Sequence, residues 1–226
     1  MSTCPFCGPT VFVRLNVSEA GLRCVRCSAS TVHLSLGLAL RSEVPGLSRL
    51  AVCELSARGP LAGYLRRTAH RFSGSEYFDG APPGELVGGI PCQDVQALTY
   101  PSQSFDVVTH TEVLEHVPDD ARAFAELYRI LRPGGIMLFT VPLSGLDQTI
   151  DRARLHEGEI EHLLEPVYHA DPQRPSSGIS AFRDYGRDIV ERLNAAGFTG
   201  CAIHGPRHAI PWLHAREVIV GHRPQG

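Results

Sequence analysis

Phe105-Asp106-Val107-Val108-Thr109-His110-Thr111-Glu112-Val113-Leu114-Glu115-His116-Val117-Pro118-Asp119 is the stretch that decides the fold. Its first five residues form a mostly apolar run suited to a buried strand. Asp119-Asp120 then opens a helix on which Phe124, Leu127, Tyr128 and Leu131 recur at helical spacing, with acids placed to complement the N-terminal dipole. Arg132-Pro133-Gly134-Gly135 stops that helix, and Ile136-Met137-Leu138-Phe139-Thr140-Val141 reads as the next buried strand.

The same alternation extends in both directions. Leu50 to Leu55 is an apolar run suited to a parallel strand, followed by Gly59-Pro60 and a helical stretch from Leu61 to Thr68. His70 to Ser73 begins a second strand that ends near Glu76, and Gly89 to Asp94 is a short third. Beyond Val141, Asp184 to Ala196 reads as a helix closed by Gly197-Phe198, with Gly200 to His204 and Glu217 to Gly221 as final strands. Such an order predicts a doubly wound α/β sheet, in which ligands bind beyond the carboxyl ends of the strands.

Composition narrows the classes. The chain has 226 residues, 43% of them hydrophobic and 20% charged, which is globular and leaves room for one ordinary domain and a small appendage. Its net charge of −3 supplies no field for nucleic acid, which is unsupported but not excluded. Every basic residue is arginine, so Schiff-base catalysis and a P-loop lysine are ruled out. The best apolar run, His33 to Leu40, is too short to cross a bilayer, so no membrane is expected as a partner. Met1-Ser2-Thr3-Cys4 shows no basic segment before an apolar core, and the expectation is a cytoplasmic protein.

Cys4-Pro5-Phe6-Cys7 and Cys24-Val25-Arg26-Cys27 are separated by 16 residues, a spacing that reads as a four-cysteine zinc site. Thr10 to Leu15 and Gly21 to Arg23 read as two short strands between the pairs, giving a zinc-ribbon shape over residues 1–40. Four protein ligands leave no open position, so the zinc is expected to be structural. Ser42-Glu43-Val44-Pro45-Gly46 marks the join to a main domain over 41–226.

The stretch from Phe105 to Asp119, with its continuation from Ala125 to Pro142, closely resembles the fourth strand, helix and fifth strand of class I S-adenosylmethionine-dependent methyltransferases of the type 11 kind. The resemblance implies a Rossmann-like seven-stranded sheet whose last strand is antiparallel, with S-adenosylmethionine as donor. It places the donor on Glu54, Ser56, Arg58 and Gly59 after strand one, on Glu76 for the ribose hydroxyls and on Asp94 for the adenine amino group. His110 and Thr111 would face the donor's methionine end. The family has an acid followed by three glycines at alternate positions, whereas Glu54-Leu55-Ser56-Ala57-Arg58-Gly59-Pro60 puts serine, arginine and proline there. Arg58 is a candidate to pair with the donor carboxylate.

Glu112, Glu115 and His116 could gather on one helical turn. Resembling sequences in ubiquinone-pathway O-methyltransferases and small-RNA 2′-O-methyltransferases bind a divalent metal with this pattern, which makes a second metal site a candidate beside a packing role for His116. The connection from Leu143 to Arg183 is where this fold inserts acceptor-binding elements. His169, between Tyr168 and the Asp171-Pro172 turn, is the candidate general base, with His116 at the acceptor pocket. His156 and His162 read as solvated residues of an amphipathic helix, and Trp212 as a packing residue.

The reading is methyl transfer to a hydroxyl of a small molecule or saccharide, with the ribbon available to a protein partner. The alternative is an inactive donor-binding relative whose ribbon carries an interaction role. A nicotinamide-dependent dehydrogenase would need a glycine fingerprint that Ser56 to Pro60 does not supply.

Overall fold

Phe105–Thr111 is an inner strand of a six-stranded sheet in the computed structural model, which describes residues 2–17, 21–171, 173–205 and 216–226. In chain order the sheet consists of β1 (Ala51–Glu54), β2 (Arg71–Gly74), β3 (Phe105–Thr111), β4 (Leu131–Thr140), β5 (Thr199–His204) and β6 (Val218–His222). Their spatial order is β5-β6-β4-β3-β1-β2. Strands β1 to β4 run parallel, and β6 is antiparallel to both β4 and β5, with Phe139 opposite Ile219. The expected class, α/β with a mostly parallel central sheet, is therefore what the structure has.

Side-chain alternation divides the core in two. Val52, Val107 and Leu138 point to the face covered by α1 (Thr31–Glu43) and α2 (Gly59–Thr68). Cys53, Val108, Met137 and Phe139 point to the opposite face, where α3 (Asp120–Ile130) and α4 (Ile189–Ala195) bury Phe124, Leu127, Ile189 and Leu193. Asp119 caps α3 by accepting a hydrogen bond from the Arg122 N–H at 3.0 Å.

Four expectations need correction. The third strand does not join the sheet as a full member: Ile90–Pro91 pairs with Leu86–Val87, and only a parallel bridge between Glu76 and Cys92 ties it to the end of β2. Gly88 and Gly89, both at positive φ, turn the chain into that hairpin, and Pro91 has no N–H for a ladder. The helix expected from Asp184 starts at Ile189, because Arg183–Asp184 pairs with Ile150–Asp151. His156 and His162 lie on a hairpin, Ala153–His156 against Glu159–His162, whose turn places Glu157 and Gly158 at φ of 51° and 85°. A second hairpin, Tyr168–Asp171 with Arg174–Ser180, carries His169. Pro172 and Trp212 lie outside the described residues.

The last correction concerns the expected 40/41 join, which helix α1 crosses. The ribbon pairs Ser2–Cys4 with Gly8–Thr10 and Phe12–Arg14 with Leu22–Cys24. Its Cys4, Phe6, Leu22 and Cys24 are buried in one cluster with Leu34, Leu36 and Leu40 of α1 and Leu61 and Leu65 of α2. Gly37 permits this contact, since a Cβ there would stand 2.6 Å from the Phe6 ring. Among the described residues no helix is long and apolar enough to cross a membrane.

Candidate functional site

The site lies where β3 leaves the sheet. Glu112 takes a left-handed conformation, φ 53°, and Leu114–His116 then forms a single 3-10 turn. This geometry breaks the helical relation expected between Glu112 and Glu115. Glu112 instead accepts a hydrogen bond from Arg216 at 3.0 Å and does not join the cluster.

His169 takes its place. The ligand atoms of Glu115, His116 and His169 lie within 4.8 Å of one another. His116 Nε2 is 3.2 Å from His169 Nδ1 and 3.8 Å from Glu115 Oε1, and His169 Nδ1 is 4.0 Å from the same oxygen. His116 Nδ1 sits 2.8 Å from the Ser180 carbonyl, so it carries the proton and leaves the Nε2 lone pair facing the cluster. Glu115 is 1% exposed, and neither of its carboxylate oxygens has a hydrogen-bond partner among the described residues. Burial, with the charge of Glu112 added, raises its pKa well above the carboxylate range. Burial pushes His116 down to about 4 and lowers His169 as well. A buried carboxylate without donors beside two imidazoles is a donor set that fits a divalent transition ion.

The turn carrying Glu115 and His116 is held from outside. The Phe182 N–H donates to the Glu115 carbonyl at 2.7 Å. Arg183, 4% exposed, donates to the carbonyls of Leu114, Val117 and Pro118 at 3.1, 2.6 and 2.7 Å. Sequence reasoning missed Arg183, since no spacing links it to residues more than sixty positions away.

The expected donor residues lie at the same edge of the sheet, and all but two have side chains at least partly exposed there. Ser56 Oγ and the Ala57 N–H both donate to Glu76 Oε1, at 3.2 and 3.1 Å, which ties the loop after β1 to the end of β2. Arg58 is exposed at the N-cap of α2, and Gly59 follows at φ 86°, a conformation that favours glycine. Asp94 is half-buried and accepts from the Gln96 N–H at 2.8 Å. Thr111 ends β3 beside Thr140. The first exception is Glu54, 1% exposed and hydrogen-bonded by the Thr109 hydroxyl, with burial pushing its pKa up to about 8. The second is His110, which points into the core and stacks on Phe139 at 4.6 Å. It is fully buried with no partner for either ring nitrogen among the described residues, and burial pushes it down to about 3. Strand alternation explains this: Thr109 faces Glu54, so its neighbour faces the other way.

The four ribbon cysteines also cluster. Their sulfur atoms lie within 4.8 Å of one another, with Cys4 to Cys27 at 3.6 Å and Cys7 to Cys24 at 3.5 Å. Sulfurs bound tetrahedrally at 2.3 Å would stand about 3.8 Å apart, so the arrangement fits zinc. Burial resists ionisation of Cys24, but the Thr10 hydroxyl and the Cys27 and Arg26 N–H groups outweigh it and bring the thiol to about 6.

Residues 76–139 match the family model described as a methyltransferase domain. The ubiquinone biosynthesis O-methyltransferase of Coxiella burnetii is 43% identical over 49 residues, 22% of this chain and 21% of that protein's length. An uncharacterised methyltransferase of a Mycobacterium species is 30% identical over 155 residues, covering 63% of this chain and 58% of that protein. The chain thus spans about a fifth of the length of the curated relatives it matches first. A Mesorhizobium loti S-adenosylmethionine-dependent methyltransferase of known structure superimposes with a TM-score of 0.54 at 20% identity, covering 84% of this chain and 98% of that one. The chain therefore carries a methyltransferase domain, on the fold of the S-adenosylmethionine-dependent methyltransferases.

Proposed function

We propose that the chain transfers the methyl group of S-adenosylmethionine to a hydroxyl of a small molecule or saccharide, beside a divalent cation held by Glu115, His116 and His169. The observation that carries this reading is the Glu115 carboxylate, buried without a hydrogen-bond partner among the described residues and facing two imidazoles. When bound, such a cation would polarise an acceptor hydroxyl and ease loss of its proton.

The remaining work falls to residues of the chain. Glu76 Oε2 accepts from the ribose hydroxyls, Asp94 from the adenine amino group, and the Ser56–Gly59 loop supports the donor's other end. In-line transfer breaks the sulfur–methyl bond as the oxygen–methyl bond forms, so the main requirement is alignment. The paired strands Tyr168–Asp171 and Arg174–Ser180 supply it on the acceptor side: the first carries His169, and Arg174 of the second forms a two-bond pair with Asp79 just beyond the donor strand. A second reading makes His169 the general base, favoured by its 3.2 Å approach to His116 and its partial exposure.

The structural zinc belongs to the ribbon, whose Val11, Leu15 and Val25 are 56%, 69% and 54% exposed and would suit a protein partner. Calorimetric titration with S-adenosylmethionine and S-adenosylhomocysteine, with a nicotinamide dinucleotide as control, tests the proposal. Micromolar binding of the methionine-derived pair alone is expected, followed by cation-dependent methylation of hydroxyl acceptors. Absence of donor binding would move the assignment to the inactive, protein-docking alternative.

A further inference from the structure

We infer that His33 is a donor-binding residue that holds the carboxylate of the methionine moiety, an inference that rests on the donor reading above. Helices α1 and α2 lie side by side and parallel. At one end Leu40, Arg41 and Val44 of α1 share a cavity with Tyr64, Arg67 and Thr68 of α2. At the other, His33 Nε2 lies 3.9 Å from the position a Cβ on Gly59 would occupy. The imidazole therefore sits beside Gly59, at the end of the loop that Glu76 ties to the donor edge of the sheet.

Its orientation is fixed by Ser30. The Ser30 hydroxyl is 2.7 Å from His33 Nδ1, and although Ser30 is the N-cap of α1 its side chain bonds no helix N–H. In the proposed tautomer the Ser30 hydroxyl donates to Nδ1, and Nε2 carries the proton and faces Gly59. Burial, aided by the charge of Arg23, lowers His33 to about 4, so the ring is neutral at physiological pH. A neutral donor can bind a carboxylate without repelling the sulfonium and ammonium groups of the same ligand.

The position also answers the departure in the loop. Pro60 has no N–H where the family has a glycine, and Ser56 and Arg58 replace two more glycines. An imidazole N–H supplied from α1 substitutes for a lost backbone donor, at a place where the N-termini of both helices favour an anion. The ribbon sets this donor's place: the Cys24 N–H bonds the Ala29 carbonyl at 3.0 Å, one residue before Ser30.

The test is calorimetry on the zinc-loaded full chain with S-adenosylhomocysteine and with 5′-methylthioadenosine, which keeps the adenosine and thioether but lacks the amino-acid end. His33→Ala should weaken S-adenosylhomocysteine about tenfold and change methylthioadenosine less than about twofold. His33→Gln, whose amide N–H can stand near the Nε2 position, should restore most of the loss. An equal change for both ligands, or none for either, overturns the assignment while leaving the donor site intact. If the unmodified chain binds neither ligand, the donor reading itself falls and takes this inference with it.

Discussion

His169 Nδ1 stands 3.2 Å from His116 Nε2 although 53 residues separate them, and Glu115 Oε1 lies within 4.0 Å of both. These two imidazoles and a carboxylate without a hydrogen-bond partner among the described residues are the ligand set of the proposed cation. The full chain should bind two equivalents of divalent metal, one in the ribbon and one here. Glu115→Gln should retain one equivalent and weaken the other by at least about 100-fold. Elemental analysis after dialysis against a set free-metal level reads both numbers, and two equivalents retained in the variant would sink the site. Removing the ribbon would be a poor control, because Cys4 and Phe6 share the core of α1 and α2.

Arg183 should matter to that site without touching it. Its fork meets three carbonyls of the segment that presents Glu115 and His116, a geometry the single ammonium of lysine cannot reproduce. Arg183→Lys should cost about 2–4 kcal/mol in urea denaturation and weaken cation binding about tenfold. Affinity for S-adenosylhomocysteine should hold, since the loop after β1 makes none of these contacts. Equal losses of cation and donor affinity would mean that Arg183 only supports the fold.

These two sites show what one sequence can disclose. The Phe105 strand and helix α3 were legible because periodicity and a cap residue are local signals, and the ribbon because cysteine spacing is nearly self-sufficient. The meeting of His169 with His116 was not, since it depends on where a hairpin folds back. Glu112 misled because nothing in its neighbours announces a left-handed backbone. His156 and His162 misled because Glu157-Gly158 is a turn signal set among residues that also suit a helix face. His33 carried no motif, and only the packing of α1 on α2 gives it a neighbour in the donor loop.

Zinc should hold more than the ribbon. Cys4, Phe6, Leu22 and Cys24 are buried against Leu34, Leu40 and Leu61, so loss of a metal held by the four cysteines would remove one wall of the core beside the donor loop. Chelation, or Cys24→Ser, should lower the melting temperature by about 10 °C or more. A chelated protein that melts within about 2 °C of the loaded one would show that the four cysteines are not a structural metal site.

Stability should fall steeply in mild acid. His33 and His110 have pKa values lowered by burial to about 4 and about 3 from 6.5, so below 6.5 the unfolded chain binds protons that the folded one does not. Their contribution is fully present above pH 6.5 and is lost as pH falls toward 4 and 3, at up to about 2.7 kcal/mol per pH unit for the pair. Glu54 acts oppositely: raised by burial from 4.5 to about 8, it stabilises at low pH and loses that contribution as pH rises through 8. Together they place the optimum near pH 6.5. His110→Phe separates the contributions, because a phenyl ring can keep the stack on Phe139 while removing two buried nitrogens that have no partner among the described residues. The variant should gain about 1–3 kcal/mol and lose about 1.4 kcal/mol per pH unit from the acid slope. Urea titrations across the pH range would show both. A large loss of stability, or of S-adenosylhomocysteine binding, would instead mean that His110 hydrogen-bonds a ligand or a buried water in the folded protein.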